Sequence, residues 1–286
     1  MRIKVIACEV MFREICLCAA QSPHTVDLEF LKRGLHDNPE MLREQVQRAI
    51  DATECHSEGA QRPKNLEGGA RSFACAQDDI VPSVKYDAIV LGYGLCSNGT
   101  LGLEARGAPL VIPRAHDCIT FFLGSKDLYY RHFHDEPGTY WYTSGWIERA
   151  GSHVPRTREE GEGLQMPYDE MVEKYGADNA AYLLEVQQAW IKRYSRAAFI
   201  DLKIGPHQAL RGEVVGIAHE RKWDFQDLPG DLRLIRKMLD GEWEEEEFLI
   251  VRPGQRVARG NDEEIISAAP SEAPALITEN TETTEK

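Results

Sequence analysis

Three features of this 286-residue sequence predict an α/β protein with two Rossmann-like lobes, mainly parallel sheets and a cleft between the lobes. Short β-branched runs alternate with amphipathic helical segments, and that alternation goes with parallel sheets. It falls into two groups, one before about Gly151 and one after about Arg196, bridged by a long helical stretch. Two apolar runs in the first group each end in a turn bearing Gly, Cys or His, and parallel sheets present ligands beyond the carboxyl ends of their strands.

Residues 3–10 alternate and are rich in β-branched side chains, which predicts the first strand, with Cys8 and Glu9 near its carboxyl end. Residues 12–18 either continue it or begin a short helix, and residues 27–31 are a short strand or a first helical turn. Asn38-Pro39-Glu40 is a helix start, with Asn as cap and Pro at the first helical position. Leu42, Val46, Ala49 and Ile50 share the face of that helix that should cover the sheet. Residues 86–91 and 110–112 read as buried strands, and residues 125–133 as a helix capped by Ser125 with Leu128, Tyr129 and Phe133 inward. Helices are expected over 169–175 and 178–194, the second with an apolar stripe through Ala181, Leu184 and Trp190. A strand at 197–202, a helix at 207–221, a strand at 223–228, a helix at 232–239 ending at Gly241 and a last strand at 247–251 complete the second group.

These elements divide the chain into a first lobe over 1–150, a linker, bridging helix and second lobe over 151–257, and a tail over 258–286. The tail is acidic and poor in large apolar residues, so it is expected to be disordered. Residues 55–79 lack periodicity and resemble the translated product of a repetitive DNA element found inside unrelated bacterial reading frames. They are expected to form a disordered insertion, because lengthening a surface loop costs only a slowly growing entropy. On that reading Cys55, His56 and Cys75 carry no chemistry.

The net charge of -14 argues against nucleic acid as a partner, since phosphate binding needs a basic face. No apolar run approaches the roughly 20 residues that cross a bilayer, and the start MRIKVIACEVMF lacks a signal-peptide cleavage pattern. A cytoplasmic protein without a membrane partner is expected. Its seven cysteines are an odd set without small-domain spacing, which points to thiols or metal ligands rather than a disulfide framework.

His116-Asp117-Cys118 is the most specific motif. In extended chain, residues two apart face one side, so His116 and Cys118 can bind one ion while Asp117 faces away. Zinc takes imidazole nitrogen and thiolate sulfur in a tetrahedron, and Cys96, with Cys8 as a further ligand, would complete the set. The turn holding Gly92, Gly94, Asn98 and Gly99 can cradle an anion with backbone N–H groups, or let the backbone approach whatever Cys96 touches. It matches neither the dinucleotide fingerprint nor a P-loop. Tyr140, Trp141, Tyr142 and Trp146 form either a box for a methylated ammonium or a packing cluster. Arg114, with Lys126 and Arg13, is a candidate for holding a carboxylate, and Glu9 and Glu14 for orienting a ligand or acting as a base. Cys16 and Cys18 lie in the apolar run ICLCAA and read as buried structural thiols.

The run LGYGLCSNGTLGL, PLVIPRAHDCITFFLGS and PGTYWYTSGWIE, with IACEVMFREI before it and GDLRLIRKMLDGEW and FLIVRPG after it, resembles the family called domain of unknown function 1638. That resemblance covers nearly the whole chain apart from the insertion and the tail, and places Cys8, Cys96, His116 and Cys118 in motif blocks. Members are often encoded near corrinoid-dependent methyltransferases for methylated amines, which implies a corrinoid protein or methyltransferase as partner. The His-x-Cys pair is also similar to the ligand pattern of zinc enzymes that move methyl groups between corrinoids and thiols, although there the further Cys follows the pair. The resulting expectation is a zinc-thiolate protein of one-carbon metabolism acting in methyl transfer. The alternative is a non-catalytic, two-lobed protein that binds a small ligand, a corrinoid or a metal for a partner methyltransferase.

Overall fold

The computed structural model describes residues 1–55, 85–149, 168–188, 192–261 and 263–271. The first sheet has strand order β2-β1-β3-β4-β8, formed by β1 (Arg2–Cys8), β2 (Thr25–Leu31), β3 (Ala88–Gly92), β4 (Leu110–Pro113) and β8 (Phe248–Val251). Its first four strands are parallel and β8 runs antiparallel beside β4. A second, fully parallel sheet joins β5 (Thr139–Thr143), β6 (Arg196–Asp201) and β7 (Asp224–Pro229). The α/β class and the mainly parallel sheets therefore stand as expected.

The period-two alternation of the strands splits the interior in two. Ile3, Val5 and Ala7 pack with Ile15 of α1 (Phe12–Ala19), Phe121 of α3 (Cys118–Leu123) and Leu239 of α9 (Arg233–Asp240). Ile6 faces the other way, onto Leu42, Val46 and Ile50 of α2 (Pro39–Cys55). Those three are the face that the spacing assigned to the sheet, and burying each stabilises by about 2 kcal/mol. The second sheet packs Tyr142 and Phe199 on Ile147 of α5 (Ser144–Arg149) and Val214 of α8 (His207–Arg221). Its opposite face sends Ala198, Ile200 and Leu228 into the core that Val5 and Phe121 share.

Three boundaries differ from the sequence reading. The aromatic segment at 139–146 belongs to the second sheet, because β5 pairs with β6 in register from Thr139↔Arg196 to Thr143↔Ile200. The strand near 247–251 returns to the first sheet, where Phe248, Leu249 and Val251 are buried against both of its cores. Chain order suggests neighbours, but a strand that is apolar on both faces needs a sheet covered on both sides. Residues from 258 do not all form a tail: β9 (Gln255–Arg259) and β10 (Ile266–Pro270) make a hairpin that buries Val257, Ile265 and Ile266. The surrounding charge masks these three apolar residues in the sequence. The disorder expected over 55–79 and beyond residue 271, and the linker expected to begin at 151, lie outside the described residues, apart from Cys55 at the end of α2.

Smaller differences follow the same logic. The helix expected over 178–194 is α7 (Ala177–Gln188), and of its stripe Ala181 is exposed while Ala180 is buried. It follows α6 (Tyr168–Tyr175). Ser125 caps α4 (Lys126–Asp135), its Oγ accepting from Leu128 N–H, but Phe133 is 62% exposed and stacks on Tyr129 instead of entering the core. Among the described residues no helix is long and apolar enough to cross a membrane.

The close approach of α5 to the turn after β1 rests on Gly145, where a Cβ would lie 1.7 Å from the Val10 carbonyl oxygen. Arg13 forks onto Glu148 at 2.7 and 2.8 Å beside this contact. Between them Glu14 is 1% exposed, and burial pushes its carboxyl up to about 7, with the Glu148 charge adding to the rise. Stability from the protonated, buried Glu14 is therefore complete below its ordinary value and is lost as pH rises through about 7, by about 3 kcal/mol in total. Urea denaturation across that range is expected to show a steeper loss for the parent than for Glu14→Gln. Parallel pH profiles of the two proteins would contradict the buried carboxyl.

Candidate ligand pocket

The site is built where three neighbouring parallel strands end. Backbone pairing of β3 with β4 continues past both strands: Leu95 N–H donates to Ala115 O at 2.7 Å, and Cys96 N–H to His116 O at 2.8 Å. Gly94 permits it, since a Cβ there would stand 2.4 Å from the Ala115 oxygen. Gly92 similarly lies against Ala7 of β1, where a Cβ would come within 2.5 Å of the Ala7 Cβ, and one on Gly99 would come within 2.5 Å of Leu42. These glycines thus permit close packing of the backbone. Cys96, Ser97 and Asn98 then have φ of 44°, 57° and 69°, three successive non-glycine residues in the left-handed region, each costing about 1–2 kcal/mol. The turn closes with Gly99 N–H donating to Cys96 O, and Asn98 Oδ1 accepts from Arg259 Nη2 at 2.6 Å.

The result is a pocket of about 380 Å³. Its floor carries Cys8 from the end of β1, Cys96 from the loop after β3, Cys118 from the first turn of α3, and Tyr93. One wall is aromatic: Tyr140 and Trp141 of β5, Trp146 of α5, and Tyr194 just before β6. Lys32, Arg33 and His36 follow β2 at a further side. The first sheet thus gives its carboxyl edge, as the strand pattern predicts, whereas the second gives the amino-terminal part of β5. The carboxyl ends of β6 and β7 face a separate, open pocket lined by the Asp201, Arg211 and Asp227 side chains.

Cys8, Cys96 and Cys118 are half-buried residues. Burial pushes the Cys96 thiol up to about 12, with Asp117 adding to it. Cys118 is raised well above the ordinary thiol range by burial and then by Asp117, Cys8 and Cys96, and burial raises Cys8 as well. All three are neutral thiols at neutral pH, and Cys96 and Cys118 both sense Cys8. Tyr93 is 4% exposed, and its hydroxyl has no hydrogen-bond partner among the described residues. Burial raises its pKa, followed by Cys8, Cys96 and Glu9, so the phenol remains a neutral donor.

Asp117 also lines the pocket, and it caps α3: Oδ1 accepts from Ile119 N–H at 2.9 Å and Oδ2 from the Tyr129 hydroxyl at 3.1 Å. His116 touches the pocket, but its ring stacks on Tyr129 and its Nε2 lies 2.8 Å from the Tyr130 hydroxyl. The thiols have the right chemistry for a soft ion. Yet among the described residues no three His, Cys, Asp or Glu side chains are arranged to hold a metal.

Other expected site residues lie elsewhere. Tyr142 is fully buried against α8 and belongs to the core. Arg114 donates to the carbonyl oxygens of Glu245, Glu264 and Ile266, pinning the β9–β10 hairpin beside β8. Lys126 donates to the Glu246 and Glu263 carbonyls, and Arg13 is taken by Glu148. Glu9 accepts from Arg33 N–H at 2.9 Å and fixes the chain after β2. Cys18 is buried in α1 and Cys16 is half-buried there. Tyr93, Arg33 and Lys32 were missed in the sequence, although Tyr93 stands inside the quoted Gly-Tyr-Gly turn.

Fold and site together define an α/β protein with a thiol-floored, aromatic-walled pocket at the ends of a parallel sheet. The family model described as "Protein of unknown function (DUF1638)" matches residues 30–239, and the chain belongs to that family. The matched span holds Cys96, His116 and Cys118 and leaves Cys8 outside. No curated protein and no solved structure matches the chain significantly.

Tyr93→Phe removes a buried hydroxyl that lacks a partner, so it is expected to stabilise the ligand-free protein by about 1 kcal/mol in urea denaturation. Destabilisation of that size would contradict the geometry. The rate of iodoacetamide modification at Cys96 should keep rising with pH through the region where an ordinary thiol levels off, because its pKa is about 12. A plateau near the ordinary thiol pKa, read by peptide mass, would contradict the burial.

Proposed function

We propose that the protein binds a small molecule in this pocket, with an acceptor atom of the ligand on the Tyr93 hydroxyl and its body between the thiols and the aromatic wall. The observation that carries this reading is the buried Tyr93 hydroxyl, without a partner among the described residues, on a residue that lines a 380 Å³ cavity. Native proteins satisfy nearly all buried polar groups, and a ligand is a natural partner for one carried by a pocket-lining residue. Aromatic rings supply contact area for its apolar part. A thermal-shift screen of small carboxylates, methylated amines and cobalamin, run on the parent and on Trp146→Ala, tests this. A compound that raises the parent's midpoint by several degrees and the variant's by clearly less supports the reading. A parent that responds to none of these classes contradicts it.

A second reading retains the metal, and the observation in its favour is that three cysteines from three adjacent strand ends line one pocket. Cys8, Cys96 and Cys118, with His116, would hold zinc, which would keep a thiolate available at neutral pH for methyl transfer with a corrinoid or methyltransferase partner. Protein purified without chelators or an affinity tag should then carry about one equivalent of zinc, and the Cys96, His116, Cys118 triple alanine variant none. A metal-free parent would contradict this second reading and leave the first intact.

A further inference from the structure

Arg33 is set into the pocket with a geometry that specifies charge. Its backbone N–H is pinned by Glu9 Oε1 at 2.9 Å, and its guanidinium carbon lies 4.7 Å from the centre of the Trp146 ring. The face of one of the two tryptophans in the wall is therefore already covered by the protein's own cation, which leaves less of the aromatic wall for a methylated ammonium. A guanidinium that stacks through its face keeps its N–H edge for hydrogen bonding, and that planar fork matches a carboxylate. Among the described residues no carboxylate forms an ion pair with the Arg33 side chain. The acids nearby are otherwise engaged: Glu9 lies 3.5 Å from Lys32 and holds the Arg33 backbone, and Asp117 is occupied by Ile119 N–H and the Tyr129 hydroxyl. Arg33 also reaches Cys8 electrostatically, its charge drawing that thiol down against the larger upward push of burial.

We propose that the pocket is specific for a small carboxylate, whose anionic group sits on the Arg33 guanidinium while the rest of the molecule extends toward Tyr93 and the thiols of Cys8, Cys96 and Cys118. This rests on the ligand-pocket reading above and narrows it to one class. Lys32, on the same side of the pocket, adds positive potential that draws the anion in.

The test compares iodoacetate with iodoacetamide, two reagents of nearly the same size that differ in charge. In either reaction the thiolate sulfur attacks the methylene carbon, a C–S bond forms, the C–I bond breaks, iodide leaves and the thiol proton passes to solvent. Rates at Cys8, Cys96 and Cys118 are read on the full chain by peptide mass, with N-acetylcysteine as the reference. The iodoacetate-to-iodoacetamide ratio at the pocket thiols should exceed the reference ratio by about tenfold. In Arg33→Met the ratio should fall to within about twofold of the reference at Cys96 and Cys118, and an unchanged urea midpoint shows that the variant remains folded. Iodoacetamide modification without any preference for iodoacetate in the parent would overturn the carboxylate proposal and leave the pocket reading standing. Modification of the pocket thiols by neither reagent would overturn both.

Discussion

The pocket depends on backbone pairing that outlasts the strands themselves. Once β3 and β4 end, Leu95 and Cys96 still donate to Ala115 and His116, so the two following loops leave the sheet side by side. That pairing needs bare backbone at Gly94, and the neighbouring approach to β1 needs it at Gly92. A side chain at either position would force the loops apart and separate Cys96 from Cys118 and Cys8. Three successive left-handed residues at 96–98 hold the turn at a cost of a few kcal/mol, and local strain of this kind persists only where surrounding structure overdetermines it. The buried Thr100, whose hydroxyl donates to Gly94 O, is part of that support.

The second sheet completes the site because it shares a core with the first. Ala198, Ile200 and Leu228 pack into the same apolar cluster as Val5 and Phe121, and Gly145 lets α5 touch the turn after β1. Those contacts place Trp146 against Arg33 and bring Tyr140 and Trp141 across from the thiols. Burial then sets the chemistry of the floor. The same desolvation that keeps the three thiols protonated keeps the Tyr93 phenol neutral, and its hydroxyl is a donor without an acceptor among the described residues.

Much of the fold is legible in the sequence because its signals are local. The Asn38-Pro39 start and the spacing of Leu42, Val46 and Ile50 give α2, and the helix expected over 207–221 is α8 as observed. What local pattern does not encode is which sheet a strand joins: β5 and β8 each belong with the strand group opposite to the one that chain order suggests. In the site, Cys8, Cys96 and Cys118 follow from the rule that parallel strands present side chains at their carboxyl ends. His116 sits beside them in the sequence, but its ring turns to Tyr129 and Tyr130 on α4, a long-range packing choice that spacing cannot show. Arg33 and Tyr93 were hidden for a similar reason. A lone arginine after a strand and a tyrosine between glycines acquire meaning only when Trp146 and the absence of an acceptor are seen beside them.

The central claim is that thiols from three strand ends meet a small ligand in one solvent-connected pocket. A crystal of the full chain soaked in methylmercury chloride tests it most directly, because mercury marks each thiol it can reach and anomalous scattering locates it. The account predicts anomalous peaks inside the cavity bounded by Tyr93 and Trp146, on at least one of Cys8, Cys96 and Cys118. Mercury confined to Cys16 on the outer side of α1, with the three strand-end thiols directed into separate surroundings, would contradict it.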